Sequence, residues 1–536
     1  MKTLFDCCLA ALCRRADLVG QVALVPGEIQ EKCLEWLASH DQLAFKLVSP
    51  PQFGNNLCRL SFYLSEQLSD AILGRLALSN SRLEEVVIVY CPKVTDRGIR
   101  NVTKGQTHLT KLELRGLKRL SAEGLSEVNS PLLETVDLSD SPLLDSSTLL
   151  RLVIRNPNIR HLFLNRCRLL DDFGLFAIES LLGEQLLTLQ LDQLPNVRDP
   201  VNSLKTLTSK CSQLRQLSLC RYFMLEPQGA SQHERLASIP CFSLTELDLF
   251  GNYFASLPHL PENLSQIRLS CNGTEDATLL AGQLNLLNKL SRIKLTLSCR
   301  DASQASVDGA NMFLQLLLPA IGDRVDALQI QLYHIHDQTL RLVTACCAAT
   351  LESICIDAIV ANPTHLQNLL LRCVSTSADQ DSSLPKGTQI AAEPRGGLRC
   401  LKISRLRLTY KTLFKLARLA TQLEELELSH MGSRVDDRFL LMMARSAVCG
   451  SPLRSVNFNG CGRVTDLGLC ALARRCPRLK EVRLRATAVT DRSLYALAQS
   501  CPQLEWIAHA DYTRRPSFSE RALQALRDAC IQRVIC

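Results

Sequence analysis

Along this chain the apolar pattern Leu-x-x-Leu-x-Leu, with Val, Ile or Phe admitted at the apolar places, recurs seventeen times. The copies begin at Leu57, Leu83, Leu109, Leu133, Ile159, Leu186, Leu214, Leu244, Leu264, Leu290, Val325, Leu351, Leu398, Leu423, Leu453, Leu479 and Leu504, most of them 24 to 30 residues apart. Alternation with period two marks a short strand. Counted from the first apolar residue of each copy, offsets three and five point into a core and offsets two, four and six to the opposite surface. The second set is mainly polar: Lys111, Glu113 and Arg115 in one copy, Thr135, Asp137 and Ser139 in the next, and later Glu425, Glu427 and Ser429. After the strands come helix starts of one kind. Val94-Thr95-Asp96, Val464-Thr465-Asp466 and Val489-Thr490-Asp491 each precede an apolar-periodic run, where a Thr or Asp oxygen accepts from the free amides of a first turn. A strand and a return helix repeated at a fixed period predict stacked units that share one core.

That period and pattern are those of leucine-rich repeats. The predicted fold class is α/β: a leucine-rich-repeat solenoid, a curved horseshoe with parallel strands on the concave face and helices outside. Cys91, Cys167 and Cys461 hold the same place after the strand, and with the Val-Thr-Asp helix starts these units resemble the cysteine-containing repeats of F-box ubiquitin-ligase proteins. Three segments follow: a helical docking segment over 1–50, the solenoid over 51–512 and a capping helix within 513–536. Two long gaps in the array, 35 residues from Leu290 to Val325 and 47 from Leu351 to Leu398, carry polar insertions near 300–310 and 374–397. The second has no apolar period and reads as a loop. In the last segment Ser519 is placed to cap a helix whose apolar side is Ala522, Leu523, Leu526 and Ala529.

Composition narrows the function. Many of the 24 cysteines sit at repeat-fixed positions such as Cys211, Cys476 and Cys501, and no Cys-x-x-Cys pair occurs, so they read as small core residues of a cytoplasmic or nuclear protein. No apolar run is long enough to span a membrane, and Asp6 with Arg14-Arg15 breaks any leader-like stretch. The formal charge is +8, and residues 451–536 carry fourteen Lys and Arg against seven Asp and Glu. Acids and bases interleave there and aromatics are 5% of the chain, which argues against nucleic acid. Phosphate-binding loops, His-Glu-x-x-His and Gly-x-Ser-x-Gly are absent from the sequence; His334 and His336 lack a third ligand. The expectation is a binding protein with no catalytic residues, no metal and no cofactor.

The first fifty residues depart from the repeat. Thr3-Leu4-Phe5-Asp6-Cys7-Cys8-Leu9-Ala10-Ala11-Leu12 puts Leu4, Cys8 and Leu12 on one helical stripe. Val25-Pro26-Gly27-Glu28-Ile29 opens a second amphipathic helix with Pro26 in its first turn and Ile29, Cys33, Trp36 and Leu37 on its apolar face. The pair resembles an Elongin-binding box followed by a cullin-2 box. The resemblance implies an Elongin C contact at Thr3, Leu4, Cys8 and Leu12, and a cullin contact at Val25, Pro26, Ile29 and Cys33. A box ahead of leucine-rich repeats is the layout of Zyg-type and Zer-type receptors, whose armadillo-like region has no counterpart in this sequence, so their specificity is not carried over. The implied partners are Elongin C, Elongin B, cullin-2, a RING-box protein and protein substrates. The stretch from Val25 through Leu37 also resembles the opening of an F-box, which docks on a Skp adaptor of a cullin-1 ligase. Both helices are also compatible with terminal caps of a scaffold that has no ligase role, which stands as the alternative.

Ligands of such solenoids lie on the concave strands. In the last units the concave offsets present Lys402, Glu425, Glu427, Arg483, Arg485 and Trp506, a basic and aromatic patch beside an acidic one, and these are the candidate substrate-binding residues.

Overall fold

The computed structural model describes residues 8–9, 11–13, 22–40, 42–43, 53, 57–223, 238–254, 257–299, 301–374, 397–406, 408–419, 422–446, 452–509 and 518–530. All seventeen copies form strands of one parallel sheet: β1 Arg59–Tyr63, β2 Glu85–Val89, β3 Lys111–Glu113, β4 Thr135–Asp137, β5 His161–Phe163, β6 Thr188–Gln190, β7 Gln216–Ser218, β8 Glu246–Asp248, β9 Gln266–Cys271, β10 Arg292–Ser298, β11 Val325–Ile335, β12 Ser353–Ala361, β13 Cys400–Ser404, β14 Glu425–Ser429, β15 Ser455–Asn457, β16 Glu481–Arg483 and β17 Trp506–Ala508. Each strand pairs with the next in sequence. The protein is a leucine-rich-repeat solenoid.

The apolar offsets do what their alternation requires. Leu112, Leu114, Val136, Leu138, Val482 and Leu484 are all within 1% of full burial, each burial contributing roughly 1.5–3 kcal/mol. The repeat cysteines stitch units together as well as filling space: the Cys91 thiol faces the Phe62 carbonyl at 3.8 Å, Cys167 that of Leu138 at 3.2 Å and Cys461 that of Leu428 at 3.1 Å. Burial pushes these thiols up, to about 11 for Cys91 and Cys461 and about 12 for Cys167. Every described cysteine is a free thiol.

Two devices repeat along the array. The first is a left-handed residue seven places after the opening apolar position: Leu64, Tyr90, Asp140, Arg166, Gln193, Arg221, Arg405, His430 and Ala486 all hold φ between 52° and 65°. That conformation costs about 1–2 kcal/mol for a residue with a side chain. What offsets it is one more sheet hydrogen bond, since the turned N–H reaches the next unit: Tyr90 donates to the Arg115 carbonyl at 2.8 Å, Asp140 to that of Asn165 at 2.8 Å and His430 to that of Asn459 at 2.7 Å. Gly116 fills the same place in the third unit because a Cβ there would lie 2.2 Å from the Tyr90 ring.

The second device is an aspartate relay. The first-turn Asp of one helix accepts from the residue that opens the return segment of the next unit, a helix cap in all but Ser121, which opens a run of turns: Asp70 from Thr95, Asp96 from Ser121, Asp437 from Thr465, Asp466 from Thr490 and Asp491 from Ser519, each through both the backbone N–H and the hydroxyl, at 2.6–2.9 Å. The hydroxyl of Thr95, Thr465, Thr490 or Ser519 in turn caps its own helix.

The middle of the array differs from its ends. Strands β9 to β12 run six, seven, eleven and nine residues, against three in most units. The first long gap holds an 18-residue helix, Gln304–Ile321, capped by Ser303, so the polar residues near 300–310 open a helix. Of the second insertion, residues 375–396 lie outside the described residues. No helix among the described residues is long and apolar enough to cross a membrane.

Both ends of the sheet are covered. Helix Gly27–Ser39 buries Cys33, Leu34, Trp36 and Leu37 beside β1, and the Glu31 carboxylate accepts from the Cys58 and Arg59 amides at 2.7 and 2.8 Å. Those amides open the first strand, whose edge is otherwise free to pair. At the other end helix Glu520–Ala529 buries Ala522, Leu523 and Leu526, with Ser519 accepting from the Ala522 amide. The two coverings touch: His40, stacked on Trp36 with ring centroids 3.9 Å apart, places Nε2 2.9 Å from the Cys530 carbonyl.

Candidate functional site

The concave surface of β13 to β17 carries a trough of ≈ 390 Å³. Strand register builds it. Lys402, Glu427, Asn457 and Arg483 pair in sequence across β13 to β16 and form one row. Beside it Cys400, Glu425, Ser455, Glu481 and Trp506 form a second row. Alternation turns every one of these side chains away from the core, because the apolar offsets between them hold the strand in place.

The charges are arranged in pairs. Lys402 Nζ lies 2.8 Å from Glu425, which keeps the ammonium's affinity for its proton high in spite of burial. Burial alone would raise the Glu425 carboxyl, and the Lys402 bond outweighs it, so that group is lowered. Along the rim Arg454 sits 3.5 Å from Glu424 and Lys480 2.6 Å from Glu505. Arg483 is different. Its guanidinium lies 4.7 Å over the Trp506 ring, its nearest carboxylate, Glu481, is 3.6 Å away, and its buried Nε has no partner. Arg485 stands two residues on, exposed, with its backbone N–H on Asn459. Thus Lys402, Glu425, Glu427 and Arg483 line one cavity, Trp506 lies under Arg483, and Arg485 follows at its edge. The rim residues Arg454, Lys480 and Glu505 were not singled out in the sequence; their signal is the single position directly after the opening leucine of each copy.

The N-terminal candidates are placed as follows. Thr3 and Leu4 lie outside the described residues. Cys8 is exposed, and Leu12 packs partly buried against the core. Pro26 is exposed, Val25 and Ile29 are partly buried, and Cys33 is fully buried, its carbonyl facing the Cys13 thiol at 3.9 Å. Cys33 therefore packs inside the cap. His334 and His336 stack edge to face, and His336 Nε2 lies 3.1 Å from Asp308. Among the described residues no three or more His, Cys, Asp or Glu side chains gather as metal ligands.

No protein-family model matches the chain, and no curated protein does. Solved structures do. Rad7 in the yeast Rad7–Elc1 complex is 13% identical with a TM-score of 0.31, over 97% of this chain and 96% of that one. A TLR13–ssRNA13 complex is 12% identical with a TM-score of 0.40, over 89% of this chain and 62% of that one. The leucine-rich repeat-containing protein LegL7 of Legionella pneumophila is 14% identical with a TM-score of 0.32, over 64% of this chain and 97% of that one. Likeness at this level carries no functional information.

Proposed function

We propose that the chain is the non-catalytic substrate-recognition subunit of a cullin-RING ubiquitin ligase in the cytoplasm or nucleus. It docks on Elongin C and Elongin B through its N-terminus, and thereby on cullin-2 and its RING-box protein. Target proteins are held on the repeat surface for ubiquitination and degradation. The observation that carries the reading is the order Thr3, Leu4, Cys8, Leu12 and then Val25-Pro26 immediately ahead of a leucine-rich-repeat array. The packing of helix Gly27–Ser39 on β1 is consistent with it, because a cullin held there keeps a fixed orientation to the repeats.

Another observation favours a second reading. Cys33, Leu34, Trp36 and Leu37 are buried, and Glu31 closes the edge of β1, which is what a terminal cap of a scaffold needs. Co-purification separates the readings: Elongin C is expected, a Skp adaptor would move the chain to the F-box class, and neither would leave the scaffold. Leu4→Ser with Cys8→Phe removes an apolar side chain worth roughly 1.5–3 kcal/mol of burial, or about ten- to a hundred-fold in affinity. Elongin C capture is expected to be lost while the circular dichroism of the repeats is kept. Undiminished capture by that double variant defeats the Elongin assignment.

A further inference from the structure

The trough on β13 to β17 has two poles whose hydrogen-bonding capacity is not filled by an opposite charge. Lys402 is taken by Glu425, Lys480 by Glu505 and Arg454 faces Glu424. Glu427 meets only a hydroxyl, that of Ser429 at 2.9 Å, with no cation at ion-pair distance among the described residues. Arg483 keeps a buried Nε without a partner, and its ion pair with Glu481, at 3.6 Å, is too long to be a hydrogen bond and leaves the fork able to take a second anion. Arg485, about 7 Å along the same face, has no ion pair among the described residues. Two neighbouring guanidiniums without a shared carboxylate repel one another until an anion joins them. The Arg485 charge is felt nearby: burial first, then Arg485, depresses His509.

We propose that Arg483 and Arg485 bind a carboxylate of an extended peptide over the Trp506 ring, while Glu427 binds a basic side chain of the same peptide three residues away. This rests on the receptor reading of the concave face. The spacing follows from register: Glu427 and Arg483 stand two strands apart, about 9.6 Å, with Asn457 as the floor between them. Asn457 is only 6% exposed and its Oδ1 is occupied by the Asn459 amide, so nothing charged interrupts the path. A polyproline-type chain presents every third residue on one face at about 9.3 Å, which fits. A β-strand presents same-face residues at about 6.7 or 13 Å, which does not. The guanidinium fork suits a planar carboxylate, and the ring beneath it holds the fork flat. A polyanion is disfavoured because Glu424, Glu425, Glu427, Glu481 and Glu505 line the same cavity.

The test is fluorescence anisotropy of the full chain with labelled, amidated peptides containing Glu and Arg separated by one, two, three or four alanines. A second arm uses peptides ending in a free carboxylate with Arg three residues before the end, and the same peptides amidated. Best binding with two intervening alanines, which puts the two charges at i and i+3, at least about tenfold above Glu→Gln or Arg→Ala peptides, is expected in one arm, and the arm identifies a side-chain or a terminal carboxylate. Arg483→Glu with Arg485→Glu is expected to abolish that binding at unchanged thermal unfolding, and Arg483→Lys with Arg485→Lys to retain part of it. Binding that ignores separation and charge, or no binding in either arm, overturns the proposal. Elongin C capture is measured on the same preparation: capture without peptide binding sinks this inference alone, and peptide binding without capture sinks the Elongin assignment alone.

Discussion

Replacing Gly468 by alanine is expected to destabilise the protein, against the usual direction for a helix. Gly468 is buried in the first turn of the helix Asp466–Arg475. Alanine is ordinarily the better residue inside a helix by about 1 kcal/mol. Here a Cβ would lie 2.6 Å from Asp437 Oδ1 and 3.0 Å from the Asp437 Cα. The carboxylate cannot step aside freely, because Oδ1 accepts from the Thr465 amide at 2.8 Å and the Gly468 amide at 3.1 Å, and Oδ2 from the Thr465 hydroxyl at 2.6 Å. Hydrogen bonds to a charged group are worth roughly 1.5–3 kcal/mol each, and an overpacked methyl costs about 1–3 kcal/mol. After the helix gain is subtracted, a net loss of about 1–3 kcal/mol remains. Gly282 is the control: it lies inside the helix Ala277–Asn285 with open space where its Cβ would go, so Gly282→Ala should gain a few tenths to about 1 kcal/mol. Urea unfolding followed by circular dichroism, with hydrogen exchange at the Thr465 amide, reads both. If Gly468→Ala stabilises as Gly282→Ala does, the aspartate relay does not constrain the helix start and the reasoning fails.

The Asp140 carboxyl is held down to about 2 by its bonds to Arg166 and, against the opposing effect of burial, by the Tyr90 hydroxyl. A depressed carboxyl contributes stability that is full above its ordinary value near 3.8 and is lost as pH falls through 2, so Arg166→Gln should flatten the stability curve between pH 4 and 2 and leave it unchanged in slope at pH 6. A slope identical in parent and variant would refute the pairing. Native labelling with iodoacetamide at pH 8, read by mass spectrometry, should modify exposed Cys8 well before buried Cys91, Cys167 and Cys461, whose thiols are pushed up to about 11, 12 and 11. Equal labelling of all four would mean the inter-unit thiols are not buried as described.

The strands were legible because each needs only two inward apolar residues at fixed offsets, and Leu112 with Leu114 says as much alone as in company. The long strands β9 to β12 were not, since the pattern marks where a strand begins and neighbouring pairing decides where it stops. The left-handed residues are not legible in the sequence because repeat geometry fixes their φ whatever the side chain, as Leu64, Asp140 and Arg166 show. Gly116, Gly251 and Gly460, all at that offset, were the available signal. The trough was half legible: alternation aimed Lys402, Glu427 and Arg483 at one face, while their spacing, and the open state of Arg483, needed the register between strands. The contact between His40 and Cys530 joins residues 490 apart, and no local pattern announces it.

That contact makes the array count itself. An open solenoid gains or loses a unit at little cost, because each unit answers only to its neighbours. When the first and last coverings touch, the units must divide a full turn among them, on the order of 20° apiece. A change of one degree in every unit would accumulate to about 17° at the far end, far beyond the few tenths of an ångström that a hydrogen bond tolerates. Duplication or deletion of one repeat, the ordinary way such chains lengthen and shorten, would here part His40 from the Cys530 carbonyl and turn a loop into a spring.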